Sequence, residues 1–151
     1  LADPSTVTAL VDCVRPWTVE SNGVARAVAV EGSGVEAVAA LGAGKARLAE
    51  VSAADALLLI AWASGGGGAH GRRRGAAAGR FEAWWVGAHL AGLAEDWPVE
   101  PDELGDALAE LRWWVWAPVG TAVEPEGWVL RIAAASPTER LAWALDAHDH
   151  R

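Results

Sequence analysis

With 151 residues, 52 % of them apolar, and a net charge of −8, the chain is long and apolar enough to fold around one core, which excludes a disordered segment. The acidic balance, with lysine present once, at Lys45, argues against non-specific nucleic-acid binding, which needs a broad basic face. A single cysteine, Cys13, excludes an internal disulfide and suits a reducing cytoplasm. The most apolar run, 53–63, falls well short of the ~20 residues that cross a bilayer, so no membrane contact is expected. Methionine is absent even at position 1, and a fragment or processed form of a longer chain is the expectation. Ten tryptophans stand against one phenylalanine and no tyrosine, an unusual aromatic balance.

Asp3-Pro4 reads as a helix start, with aspartate as N-cap and proline at the first helical position. Val7, Leu10, Val11 and Val14 follow at helical spacing until Pro16 stops the helix. Cys13 projects away from that stripe, and no activating base is placed beside it, so an inert thiol is expected. Residues 17–20, the turn Ser21-Asn22-Gly23 and residues 24–30 read as a β-hairpin, because Asn-Gly tolerates positive φ.

Gly32-Ser33-Gly34-Val35-Glu36-Ala37 matches the G-x-G-x-x-A dinucleotide pattern, with Glu50 as the ribose acid. The helix after it is only about two turns long, and the strand before it looks antiparallel, so a plain glycine turn is expected. Gly42-Ala43-Gly44-Lys45-Ala46 lacks both the first glycine and the Ser or Thr of a phosphate loop. Ala46–Val51 is a short strand. Ser52, with Asp55 three residues later, starts a helix with a capping box, and 53–63 is apolar almost all round, as in a buried helix.

The stretch 64–97 concentrates flexible backbone, positive charge and aromatics. Ser64 is followed by Gly65 to Gly68, then His70, then Arg72, Arg73 and Arg74. Residues 75–94 contain no proline and allow a helix with Phe81, Trp85, Val86, His89, Leu90 and Leu93 on its broad apolar face and Arg80, Trp84, Ala91 and Glu95 opposite. Gly79, Gly87 and Gly92 weaken it by up to about 1 kcal/mol each, so packing must hold it, and these glycines let a neighbour approach closely. The buried helix, the glycine loop and this second helix form a helical hairpin whose turn carries the arginines. A helix N-terminus is already positive, so arginines there need a negative partner. That partner is a bound phosphate or carboxylate, held by backbone N–H groups and guanidinium forks, or one of the chain's own acids.

Pro101 with Asp102 and Glu103 begins another helix, burying Leu104, Leu108 and Leu111 and turning Glu103, Asp106 and Glu110 outward as the internal candidates for the arginines. Residues 112–117 and 128–134 form a second hairpin, joined by a loop containing Pro118, Gly120, Pro125 and Gly127. Both strands are apolar on both sides, as for strands covered by helices, and their tryptophans read as core and cross-strand pairs, with a stacking platform for a sugar or base as the alternative. Ser136-Pro137-Thr138-Glu139 is a capping box for a terminal helix to Ala147. Asp146, His148, Asp149 and His150 are metal-ligand types, but at a frayed end no metal is expected.

The run from Ser64 to Phe81, with GGAHGRRRG at its centre, and the Trp84-Trp85 after it resemble the signature of an uncharacterised actinobacterial family of unknown function. Trp97-Pro98, Glu103-Leu104 and 145–148 are similar to it too. The resemblance covers roughly Ala53 to the C-terminus; it implies a bacterial origin and no assigned activity.

The residues describe one α+β domain over 1–151, with central buried helices and two antiparallel β-hairpins. The functional expectation is a cytoplasmic binding domain holding an anionic small molecule at loop 64–75, through Ser64, Gly66, Gly67, Gly68, His70, Arg72, Arg73 and Arg74. The rival is a protein-interaction or scaffold domain whose arginines pair with internal acids. A phosphate-handling enzyme with His70 as its catalytic base comes third. No cofactor is implied, and whether the chain is an enzyme stays open.

Overall fold

Three long strands run almost consecutively along the last third of the chain: β3 (Arg112–Pro118), β4 (Gly127–Ser136) and β5 (Leu141–His150). With β1 (Val24–Glu31) and β2 (Ala46–Val51) they form a sheet in the order β1-β5-β4-β3-β2, antiparallel throughout. This computed structural model describes residues 2–42, 44–120 and 127–150; Ala43 and Pro125, named above, lie outside them. The helices are α1 (Pro4–Asp12), α2 (Arg15–Val19), α3 (Gly34–Ala40), α4 (Ala53–Gly65), α5 (Ala76–Leu90) and α6 (Pro101–Ala109), with one short 3-10 turn at Ala94–Asp96.

Strand alternation divides the core into two layers. Leu130, Ile132, Ala134, Trp143, Leu145 and Ala147 face α1, α4, α5 and α6. Ala133, Ala135, Ala142, Ala144 and Trp116 face α3 on the other side. A sheet covered on both faces explains why its strands are apolar on both sides. Each fully buried leucine or isoleucine in it contributes about 1.5–3 kcal/mol. The buried tryptophans satisfy their indole N–H groups as well. Trp17 donates to the Ala63 carbonyl at 3.1 Å, Trp113 to Leu108 at 3.0 Å, Trp116 to Leu145 at 3.2 Å and Trp143 to the Asp3 carboxylate at 3.0 Å.

The expected helical hairpin is α4 packed on α5. Gly79 makes it possible: a Cβ there would collide with the Ala61 carbonyl of α4, so the two helices meet backbone to backbone. The outcome is the α+β domain expected from the sequence, with central helices on one side of the sheet.

Several local expectations are corrected. Residues 17–20 are not a strand; Pro16 sits in the first turn of α2, where its missing N–H costs nothing. The partner of β1 is instead β5, from Val24↔His148 to Glu31↔Leu141. The terminal helix is absent as well. Ser136 Oγ accepts the Glu139 N–H at 3.3 Å, as a cap should, but Arg140 at φ 55 reverses the chain into β5. Asp3 does not cap α1 by its side chain; its carboxylate is taken by Trp143. Helix α4 is not buried all round, since Leu58 is 68 % and Trp62 47 % exposed. On α5, Phe81 lies outside the core at 54 % exposure.

Candidate functional site

Helix α4 runs through Ser64 and stops at Gly65, and the glycine loop then folds back on the helix end. Arg74 and Gly75 both donate their N–H groups to the Gly65 carbonyl at 2.9 Å, Gly66 donates to Trp62 at 3.1 Å, and Gly71 donates to Gly67 at 2.9 Å. These bonds close the loop into a ring from which α5 departs at Ala76.

A carboxylate of the chain fills the inner side of that ring. Asp149, 2 % exposed near the end of β5, accepts the Ala69 N–H at 2.6 Å and the Ser21 hydroxyl at 2.7 Å. Ser21 Oγ in turn accepts the His70 N–H at 3.0 Å. Burial alone would raise the Asp149 pKa, but hydrogen bonds from Ala69, Ser21, His150 and Asn22 outweigh it and hold the carboxyl below its ordinary value. Gly68 has φ 68 and no room for a side chain, because a Cβ would meet Asp149 Oδ2.

The outer side of the ring is open. It lines a cleft of about 650 Å³ between α4, the loop and the start of α5. The floor is glycine backbone from Gly65, Gly66, Gly67, Gly68 and Gly71. One wall is Leu58, Trp62 and Trp128, and Arg73 and Arg80 also border it. No carboxylate lines this cleft among the described residues, and neither arginine there has an ion-pair partner among them. The N–H groups of Gly67 and Gly68 take no part in the bonds that fasten the loop. Trp62 and Trp128 stack at 5.3 Å and 17°, and Trp17 meets both edge-on at 6.0 and 6.1 Å.

The expected site residues therefore separate. Gly66, Gly67, Gly68 and Arg73 come together in the cleft. Arg72 and Arg74 turn to the other side of the loop, beside Arg15 and Glu20. Arg74 makes a long ion pair with Glu82 at 3.9 Å, and among the described residues no ion pair joins the arginines to Glu103, Asp106 or Glu110. His70 is exposed, and only its backbone is fastened. Ser64 is fully buried, with no hydrogen-bond partner for its hydroxyl, so its side chain lies in the core rather than in the cleft.

Cys13 lies in that core too. Burial pushes its thiol up to about 12, and the adjacent Ser64 hydroxyl opposes the rise without a well-aligned hydrogen bond; the thiol donates to the Leu10 carbonyl at 3.0 Å. It is inert at neutral pH. His89, expected on the broad apolar face of its helix, is partly buried and edge-on to Trp85 at 4.6 Å. Burial lowers its pKa, against the opposing charge of Asp3. Glu50 forms a two-pronged pair with Arg112, both contacts at 3.1 Å.

Sequence reasoning missed Arg80, Trp62 and Trp128 as cleft residues and Asp149 as the loop anchor. Arg80 and Trp62 carried a signal, since each stands within about two turns of the glycines. Asp149 carried one as well: it ends the alternating row Leu141, Trp143, Leu145, Ala147, where an acid must be buried and satisfied.

The model of one protein family, described as Family of unknown function (DUF6183), matches residues 1–151. That span includes the N-terminal third, which the resemblance read from the sequence does not reach. No curated protein and no solved structure matches the chain.

Proposed function

The chain belongs to this family of unknown function over all 151 residues, and we propose that it is a binding domain that holds an anionic group, phosphate or carboxylate, in the cleft beneath Arg73 and Arg80. The observation that carries this reading is the charge of the cleft. In a chain of net charge −8, the charged side chains lining it among the described residues are two arginines without an ion-pair partner among those residues. Guanidinium forks bind oxyanions in two-pronged fashion, the start of α5 adds its positive end, and the N–H groups of Gly67 and Gly68 complete a donor set. The same reading sets the domain in an actinobacterial cytoplasm, on the resemblance of 64–81 and the lone thiol.

Exposed apolar residues, Leu58, Val19, Val35 and Phe81 among them, favour the second reading, a protein-interaction domain. The enzyme reading falls behind, because His70 does not line the cleft.

Thermal unfolding in the presence of phosphate, nucleotides and sugar phosphates tests the proposal. A ligand at 100 times its Kd stabilises by about 2.7 kcal/mol, a rise of about 5 °C or more for a domain of this size. The rise should vanish in the Arg73→Ala, Arg80→Ala double variant. A flat response in the parent chain overturns the reading and favours the interaction domain.

A further inference from the structure

We infer that the anion this cleft accepts is carried on a planar aromatic ring, so that the ligand class is an aryl-bearing phosphate or carboxylate rather than a free inorganic ion. This rests on the proposed anion site and adds to it the identity of the other half of the ligand.

The cleft has two chemically different parts. Arg73 and Arg80 supply the charge. The wall is aromatic: Trp62 stacks on Trp128 at 5.3 Å and 17°, and Trp17 braces both edge-on. Trp17 is itself fixed by its bond to the Ala63 carbonyl, so the platform is rigid before any ligand arrives. Trp62 is nonetheless 47 % exposed, and Leu58, one turn earlier on the same face of α4, is 68 % exposed. Large apolar surface left in water beside a concavity is surface awaiting cover.

An inorganic phosphate would use the arginines and the backbone donors and leave Trp62 and Leu58 as wet as before. A ring system would cover them, and a glycine floor, having no side chains, leaves room for a flat body to slide in. The volume agrees: about 650 Å³ is far more than a bare oxyanion needs and falls within the ~300–1,000 Å³ of small-molecule sites. Such sites are mostly apolar with a few polar groups that fix orientation, which is the balance found here.

The test is isothermal titration of the full chain with three probes: 1-naphthyl phosphate, inorganic phosphate and 1-naphthol. The expected result is naphthyl phosphate binding at least tenfold tighter than phosphate (about 1.4 kcal/mol), with naphthol weaker than naphthyl phosphate. In Trp62→Leu, and more mildly in Leu58→Ser, the ratio of the phosphate Kd to the naphthyl phosphate Kd should fall towards one. Equal affinity for phosphate and naphthyl phosphate overturns the inference and leaves the anion site standing. Naphthol binding as tightly as naphthyl phosphate overturns the anion site itself, and so does binding of no probe at all.

Discussion

The two sides of the glycine loop solve one electrostatic problem in opposite ways. On the inner side, the N–H of Ala69 and the hydroxyl of Ser21 are met by Asp149, a carboxylate of the same chain, buried and hydrogen-bonded on several sides. On the outer side, Arg73 and Arg80 border a cleft that no carboxylate lines among the described residues. The inner side is structural because its donors and acceptor are matched at folding. Among the described residues the outer side is left with donors alone, and that surplus is what the proposed anion site rests on. The three arginines, contiguous in sequence, are divided by the same ring: Arg73 faces the cleft, while Arg72 and Arg74 face the groove shared with Arg15.

The largest effect should come from breaking the inner side. Asp149→Ala removes the acceptor for buried donors and should cost about 3 kcal/mol in denaturant unfolding. A cost below about 1 kcal/mol would mean the loop is held by its own backbone ring instead. Gly79→Ala tests what positions the ring: its methyl would press on the Ala61 carbonyl, and overpacking of this kind costs about 1–3 kcal/mol.

Acid should act through the same carboxylate. Because the folded-state pKa of Asp149 is depressed, its contribution is complete above the ordinary carboxylate range and is lost as pH falls through the lowered value. Stability measured from about pH 6 downward should therefore fall less steeply in Asp149→Asn than in the parent. His89 acts in the same sense, since its lowered pKa disfavours the folded state once it is protonated. The smallest effect belongs to His70→Ala, an exposed side chain whose loss should change stability by no more than about 0.5 kcal/mol and leave anion binding intact.

What the sequence could convey follows from how local each feature is. The β2 strand, the Ser52 cap of α4 and the proline-started α6 were legible because a few adjacent residues decide them; the Asp55 N–H does reach Ser52 Oγ, at 3.1 Å. The β5 strand was not legible, because burial on both faces erased the polar half of its alternation and left an alanine-leucine row that reads as a helix. Its false cap is instructive: the Ser136 hydrogen bond forms as predicted, yet it closes a turn between strands. The Asn22-Gly23 signal marks a bend before β1, but neither residue takes the positive φ of a hairpin turn, and the choice of β5 as partner depends on residues more than a hundred positions away.

The loop itself was found from composition alone, but composition cannot say which side of a ring a side chain takes. That is why Ser64 and His70 were grouped with Arg73, and why Arg80 and the two stacked tryptophans were passed over.

The division of the arginines is tested most directly by comparing phosphate affinity, by isothermal titration, in Arg72→Gln and in the Arg73→Gln, Arg80→Gln pair. The outer-side site predicts binding near the parent value for the first variant and loss of at least tenfold for the second. Equal losses in both, or a loss confined to Arg72→Gln, would contradict it.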